Sequence, residues 1–228
     1  MRDDICTIPV SEVFEVNDGC PICRMRDIVE EHIIDYILGD AMMEPDVRIE
    51  TNKVGFCEFH YGKMMSRRGR LQLALMLQTH IDEINKNIFN NNLLKSANVR
   101  GKKAAIVSDT CFICNKIEFG ISRMIETIYR TYENERDFRD MFNAQDCFCL
   151  PHYERLILSA QNHRMKHYGG DFVKNLTRIT GEYSKKLYSQ ISEYCTIYDY
   201  RSNKTEPINP DIRDSVERTV AFLNGRYY

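Results

Sequence analysis

Two residue patterns in this chain have the chemistry of a metal site. The first is Cys20-Pro21-Ile22-Cys23, followed after thirty-three intervening residues by Cys57-Glu58-Phe59-His60. The second is Cys111-Phe112-Ile113-Cys114, followed after thirty-four by Cys149-Leu150-Pro151-His152. Each copy supplies three thiols and one imidazole, a complete tetrahedral ligand set for zinc. In a helix, side chains three residues apart share a face, with Cβ atoms roughly 5–6 Å apart, so each pair can reach one ion. The spacing therefore predicts two Zn2+ per chain, one on Cys20, Cys23, Cys57 and His60, the other on Cys111, Cys114, Cys149 and His152.

Such pairs belong at helix starts, where the positive end of the helix dipole favours a thiolate. Pro21 suits a first helical turn. Ile22, Met25, Val29, Ile33, Tyr36 and Ile37 then recur at helical spacing, which predicts a helix over about 21–38 ending at Gly39. Further helices are expected from Cys57 to about Met65, over about 70–90 and over about 112–132. Short ones are expected before Asn17 and over about 135–143, and another begins near Cys149. Phe172, Leu176, Ile179, Tyr183, Leu187, Ile191 and Tyr194 step by three or four, predicting a long amphipathic helix over 171–198. A last helix covers about 211–224. Residues 40–56 read as a short helix or turn, and polar residues 95–109 as a connection. The fold class is all-α: two related helical units forming an internal repeat, each stapled by a Cys3His zinc site, divided as 1–100 and 101–228 and packed as one globule.

Cys147 and Cys149 both precede His152. Aligning Phe148-Cys149 with Phe56-Cys57 selects Cys149 and leaves Cys147 as a spare thiol or alternate ligand. Cys6 and Cys195 have no partner by spacing. His163 and His167 lie four apart without a third ligand and read as exposed residues. Met42-Met43 and Met64-Met65 read as core filler. Arg48, Glu50 and Asn52 are polar groups beside a metal-held turn, where they could orient a small ligand. The bland alternative, a solvated charged loop, competes with that reading.

The stretches Cys20-Pro-x-Cys23, Met43-Glu-Pro-Asp-Val-Arg-Ile-Glu-Thr-Asn52 and Gly55-Phe-Cys57-x-x-His60 together resemble an uncharacterised family of small bacterial proteins. That resemblance covers most of the chain and implies a Firmicute setting. It implies no activity.

Composition narrows the remaining classes. A formal net charge of −2 with 43% hydrophobic and 28% charged residues describes an ordinary globular protein. It disfavours non-specific nucleic-acid binding, despite the basic clusters Arg67-Arg68-Gly69-Arg70 and Arg100 to Lys103. No apolar run reaches the roughly twenty residues of a membrane span, and the Met1-Arg2-Asp3-Asp4 start does not read as a signal peptide. Nine cysteines suit a reducing cytoplasm better than an oxidising compartment. Four protein ligands close each site, which argues against catalytic zinc. The expected function is a non-enzymatic zinc-binding helical scaffold for a protein partner, with the tyrosines Tyr194, Tyr198, Tyr200, Tyr227 and Tyr228 as one possible contact surface. A thiol-redox or zinc-release switch is the alternative, and small-ligand or nucleic-acid binding a second one.

Overall fold

The computed structural model describes residues 10–89, 97–160, 165–197 and 209–225, apart from the side chains of Asp40 and Met42. Among the described residues every regular element is helical. In chain order these are α1 (Val10–Phe14), α2 (Pro21–Leu38), a 3-10 turn (Asp40–Met43), α3 (Pro45–Val54), α4 (Glu58–Met65) and α5 (Arg70–Ile84), which runs into a π-helical turn (Asn85–Phe89). There follow α6 (Ala97–Asp109), α7 (Phe112–Asn134), α8 (Arg136–Asn143), α9 (Leu150–Ala160), α10 (Gly169–Ile197), α11 (Pro210–Arg213) and α12 (Ser215–Asn224).

The periodic segments are helices as expected, and the differences have local causes. Residues 97–109, read as a connection for their polarity, form α6, a helix with no buried residue; its weak apolar pattern hid it. The expected terminal helix is broken at Asp214 into α11 and α12. Residues 40–54 are the 3-10 turn and α3, with Pro45 at the first helical position, where a missing N–H costs nothing. Met64 is buried, but Met43 and Met65 are exposed at 75% and 47%, so they do not fill a core.

The chain separates into two compact units. Among the described residues, one takes 26–122 and the other takes 10–25 with 123–225. The boundaries fall inside α2 and α7, and not at residue 100. In the first unit α3 packs on α5. Arg48 donates to the Leu75 carbonyl at 3.1 Å and to Thr79 Oγ1 at 2.8 Å, and Thr79 donates to Asn52 Oδ1 at 2.9 Å. In the second unit Phe142 is fully buried, with ring centroids of Phe148 and Phe172 each 4.9 Å away, Tyr132 5.1 Å and Phe14 5.7 Å. Aromatic groups at these separations add to the burial of their own area. Helix α10 packs on α8, α9, α11 and α12, burying Phe172, Leu176, Ile179 and Leu187, as its periodicity predicts.

Candidate metal centres

The eight residues singled out by spacing do come together, but in crossed pairs. One cluster is Cys57, His60, Cys111 and Cys114; the other is Cys20, Cys23, Cys149 and His152. In each, one ligand atom from every residue lies within 4.8 Å of all the others. The expected pairing of neighbours within each copy is therefore wrong. Cys111 and Cys114 meet Cys57 and His60, and Cys20 and Cys23 meet Cys149 and His152.

The reason lies in α2 and α3. His60 Nε2 donates to Glu30 Oε1 at 2.9 Å. Glu30 is ten residues beyond Cys20 in α2, about 15 Å along a helix at 1.5 Å per residue. An imidazole held there cannot share an ion with Cys20. The return from α2 winds into the 3-10 turn and into α3, which docks on α5.

All four ligand pairs sit where helices begin. Cys20, Cys57, Cys111 and Cys149 immediately precede α2, α4, α7 and α9. Their carbonyls accept the first intrahelical bonds, from Arg24, Tyr61, Asn115 and Tyr153 at 2.8–3.2 Å. The second ligand of each pair lies one turn on, on the same face. Each centre thus gathers two helix N-termini, and both dipoles favour negative charge on the sulfurs.

The first unit's centre is assembled by backbone as well as side chains. The Phe112 N–H donates to the Gly55 carbonyl at 2.9 Å, and Thr110 Oγ1 donates to the Val54 carbonyl at 3.1 Å, tying together the turns before α4 and α7. Gly55 has φ +62°, and a Cβ there would meet His80 Nε2 at 2.7 Å, so only glycine lets the chain turn into Cys57. His60 is fully buried and turns Nδ1 to three sulfurs: Cys57 at 3.1 Å, Cys111 at 3.3 Å and Cys114 at 3.5 Å. Its other nitrogen is bonded to the buried Glu30, whose second oxygen takes Lys63. A ring held this way presents Nδ1 as the ligand atom, the arrangement by which a carboxylate orients a metal-bound histidine. Spacing of Cys and His alone missed Glu30. A signal was present: Glu30, Ile33, Ile34 and Ile37 form one helical stripe, and a carboxylate among isoleucines needs a partner.

In the second unit, His152 Nδ1 lies 3.1 Å from Cys149, 3.4 Å from Cys23 and 3.5 Å from Cys20, and the Cys23 and Cys149 sulfurs are 3.6 Å apart. Gly225, the residue after α12, closes over this cluster. Its φ is +73°, a Cβ there would lie 3.2 Å from Cys149 Sγ, and its carbonyl accepts from the Cys23 thiol at 3.0 Å. Cys147 is buried nearby but is not in the cluster, which Cys149 joins. Burial pushes the Cys147 thiol up to about 12.

In both clusters the thiols are shifted in opposite directions. Burial raises the Cys111 thiol, but the His60 hydrogen bond and backbone N–H groups of Cys114 and Cys57 outweigh it and hold it at about 6. Cys114 is then pushed up to about 12 by desolvation and the Cys111 charge. In the other cluster burial likewise opposes ionisation of Cys20, yet contacts from Cys149, Cys23 and His152 bring it well below the usual thiol range. Cys23 is pushed up, first by its contact with Cys149, and Cys149 is pushed up, first by its contact with Cys20. In each cluster the depressed thiol thus stands beside raised ones: Cys111 beside Cys114, and Cys20 beside Cys23 and Cys149. A bound dication reverses this, because it deprotonates coordinating thiols outright.

The distances fit such an ion. Zn–S bonds of about 2.3 Å and Zn–N bonds of about 2.0–2.1 Å make a tetrahedron with edges of about 3.8 Å between sulfurs and about 3.6 Å between sulfur and nitrogen. One sulfur pair in each cluster is 3.6 or 3.9 Å apart, the other sulfurs lie within 4.8 Å of one another, and sulfur to nitrogen is 3.1–3.5 Å.

Other candidate residues fall outside these centres. Arg48 and Asn52 fasten α3 to α5, whereas Glu50 pairs with Lys116 at 3.1 Å, so the three do not converge on one ligand. Asn52 lines a cavity of about 360 Å3 with Lys53, Glu83, Ile84 and Lys103 among its walls, but Arg48 and Glu50 do not. His167 and Cys195 are exposed, and Tyr194 is half-buried. Cys6, His163, Tyr198, Tyr200, Tyr227 and Tyr228 lie outside the described residues. Arg67 is occupied by Glu31 and by Asp35, the latter at 2.5 Å. Among the described residues no helix is long and apolar enough to cross a membrane.

Fold and site together define an all-helical protein with two Cys3His clusters, each able to hold a metal ion. The chain belongs to the Family of unknown function (DUF6062), whose model matches residues 1–228. No curated protein and no solved structure matches it.

Proposed function

We propose that the protein is a non-enzymatic zinc protein in which two structural Zn2+ ions hold a helical scaffold for a protein partner. One ion is bound by Cys57, His60, Cys111 and Cys114, the other by Cys20, Cys23, Cys149 and His152. The observation that carries this reading is the convergence of three sulfurs and one Nδ1 within 4.8 Å of one another in each cluster. Three soft thiolates with one imidazole favour zinc over harder, oxygen-seeking ions. Four protein ligands leave no position for water or substrate, which supports structure over catalysis. The thiol-rich ligand sets also suit a reducing compartment such as the cytoplasm.

Elemental analysis of protein purified without added metal should give close to two zinc per chain. Stripping with a chelator should lower helix content and thermal stability, since metal binding in such sites is folding free energy. A chain that carries no zinc and folds unchanged in EDTA would refute the reading.

A further inference from the structure

We propose that the two centres respond differently to oxidants: a peroxide empties the Cys57–His60–Cys111–Cys114 centre and spares the Cys20–Cys23–Cys149–His152 centre. This rests on the metal-binding reading above and assigns a regulatory chemistry to one of its two sites.

The asymmetry is one of access. Oxidation of a thiolate follows its exposure to the oxidant. In the first unit Cys114 is exposed and Cys57 half-buried, with their sulfurs 3.9 Å apart. In the second, Cys149 is 2% exposed and Cys20 9%, and only Cys23 is half-buried. Gly225 also lies across that cluster, with room for less than a methyl group above Cys149 Sγ and its carbonyl 3.0 Å from Cys23 Sγ.

In the first centre the metal keeps Cys114 as a thiolate. A lone pair on Cys114 Sγ attacks one oxygen of hydrogen peroxide. The S–O bond forms, the O–O bond breaks, and hydroxide leaves and takes a proton from solvent. Cys57 Sγ then attacks the Cys114 sulfur. The S–S bond forms, the S–O bond breaks, and a second hydroxide leaves as water after protonation. The two thiolates lose two electrons and the peroxide gains two. The zinc keeps its charge, is left with Cys111 and His60, and dissociates. Reduction of the disulfide by a dithiol restores both ligands.

The test uses the full-length protein. Zinc content is measured first: a chain without zinc overturns the metal reading itself, and two per chain lets the second step proceed. Hydrogen peroxide is then added in the presence of a chromogenic zinc chelator, and disulfides are mapped by mass spectrometry. The expected result is release of one of the two zinc equivalents in a distinct first phase, a Cys57–Cys114 disulfide in that phase, and recovery of two equivalents after a dithiol and zinc. In the zinc-loaded wild-type chain, dimedone present during peroxide treatment should trap Cys114 before Cys57 resolves it. Release of both equivalents in one phase overturns the proposal, as does first-phase oxidation confined to Cys20, Cys23 or Cys149, or release with Cys114 unmodified.

Discussion

Glu30 is the residue on which the first unit's centre turns. It is 3% exposed and bonded to both His60 and Lys63. Replacing it with glutamine keeps the shape and removes the charge that orients the ring. We expect E30Q to weaken zinc binding at this centre by about 10–100-fold, the usual cost of losing a partner behind a metal-bound histidine, and to leave the other centre unchanged. Competition with a chelator of known affinity resolves the two. The same residue sets an acid limb in the metal-free chain. Burial raises its pKa, but His60 and Lys63 outweigh that and hold it at about 2. A depressed carboxylate stabilises the fold above its unfolded pKa of about 4.3, and this contribution is lost as the pH falls from there through about 2. Acid titration of EDTA-treated protein should show that loss, and E30Q should lack it. Gly225 has the matching place in the second unit. Alanine there combines positive φ with a contact at 3.2 Å to Cys149 Sγ; a cost of about 1–3 kcal/mol follows from the strained backbone alone, readable as a lower melting temperature.

At the scale of elements, the four short helix starts do the positioning. Their presence was legible because a Cys-x-x-Cys or Cys-x-x-His pair needs only local periodicity to be placed on one helix face. Helices α2, α7 and α10 were legible for the same reason, each having an apolar stripe several turns long. What was not legible is which helix start meets which. Ligand spacing along the chain does not record how far along α2 the returning chain lands, which is at Glu30, where His60 is bonded. The docking of α3 on α5 engages Arg48 and Asn52, while Glu50 pairs with Lys116. Helix α6 escaped notice because it buries nothing. The fastening itself is testable: T79V should loosen α3 from α5, because the Arg48 and Asn52 groups then lose the hydroxyl they share. A fall in stability of about 1 kcal/mol is expected, measured by urea denaturation of the zinc-loaded protein.

For the molecule as a whole, the crossed pairing makes a prediction that metal content alone can decide. C20S/C149S removes two ligands from one centre and should retain one zinc per chain. C20S/C57S removes one ligand from each and should hold both ions weakly or lose them. Pairing between neighbours in the sequence would reverse these results. The contacts also differ in the length of chain they close: 51 residues separate His60 from Cys111, and 126 separate Cys23 from Cys149. The first interval lies wholly inside the second. A chain emerging from the ribosome at about 5–20 residues per second therefore presents Cys20 and Cys23 first and completes their centre last. The inner centre has all its ligands once Cys114 has appeared, while the first two thiols wait for His152. During that interval they are an open dithiol at the head of a growing polypeptide, so the order of synthesis leaves the best-covered centre of the finished protein as the one longest unprotected during its birth.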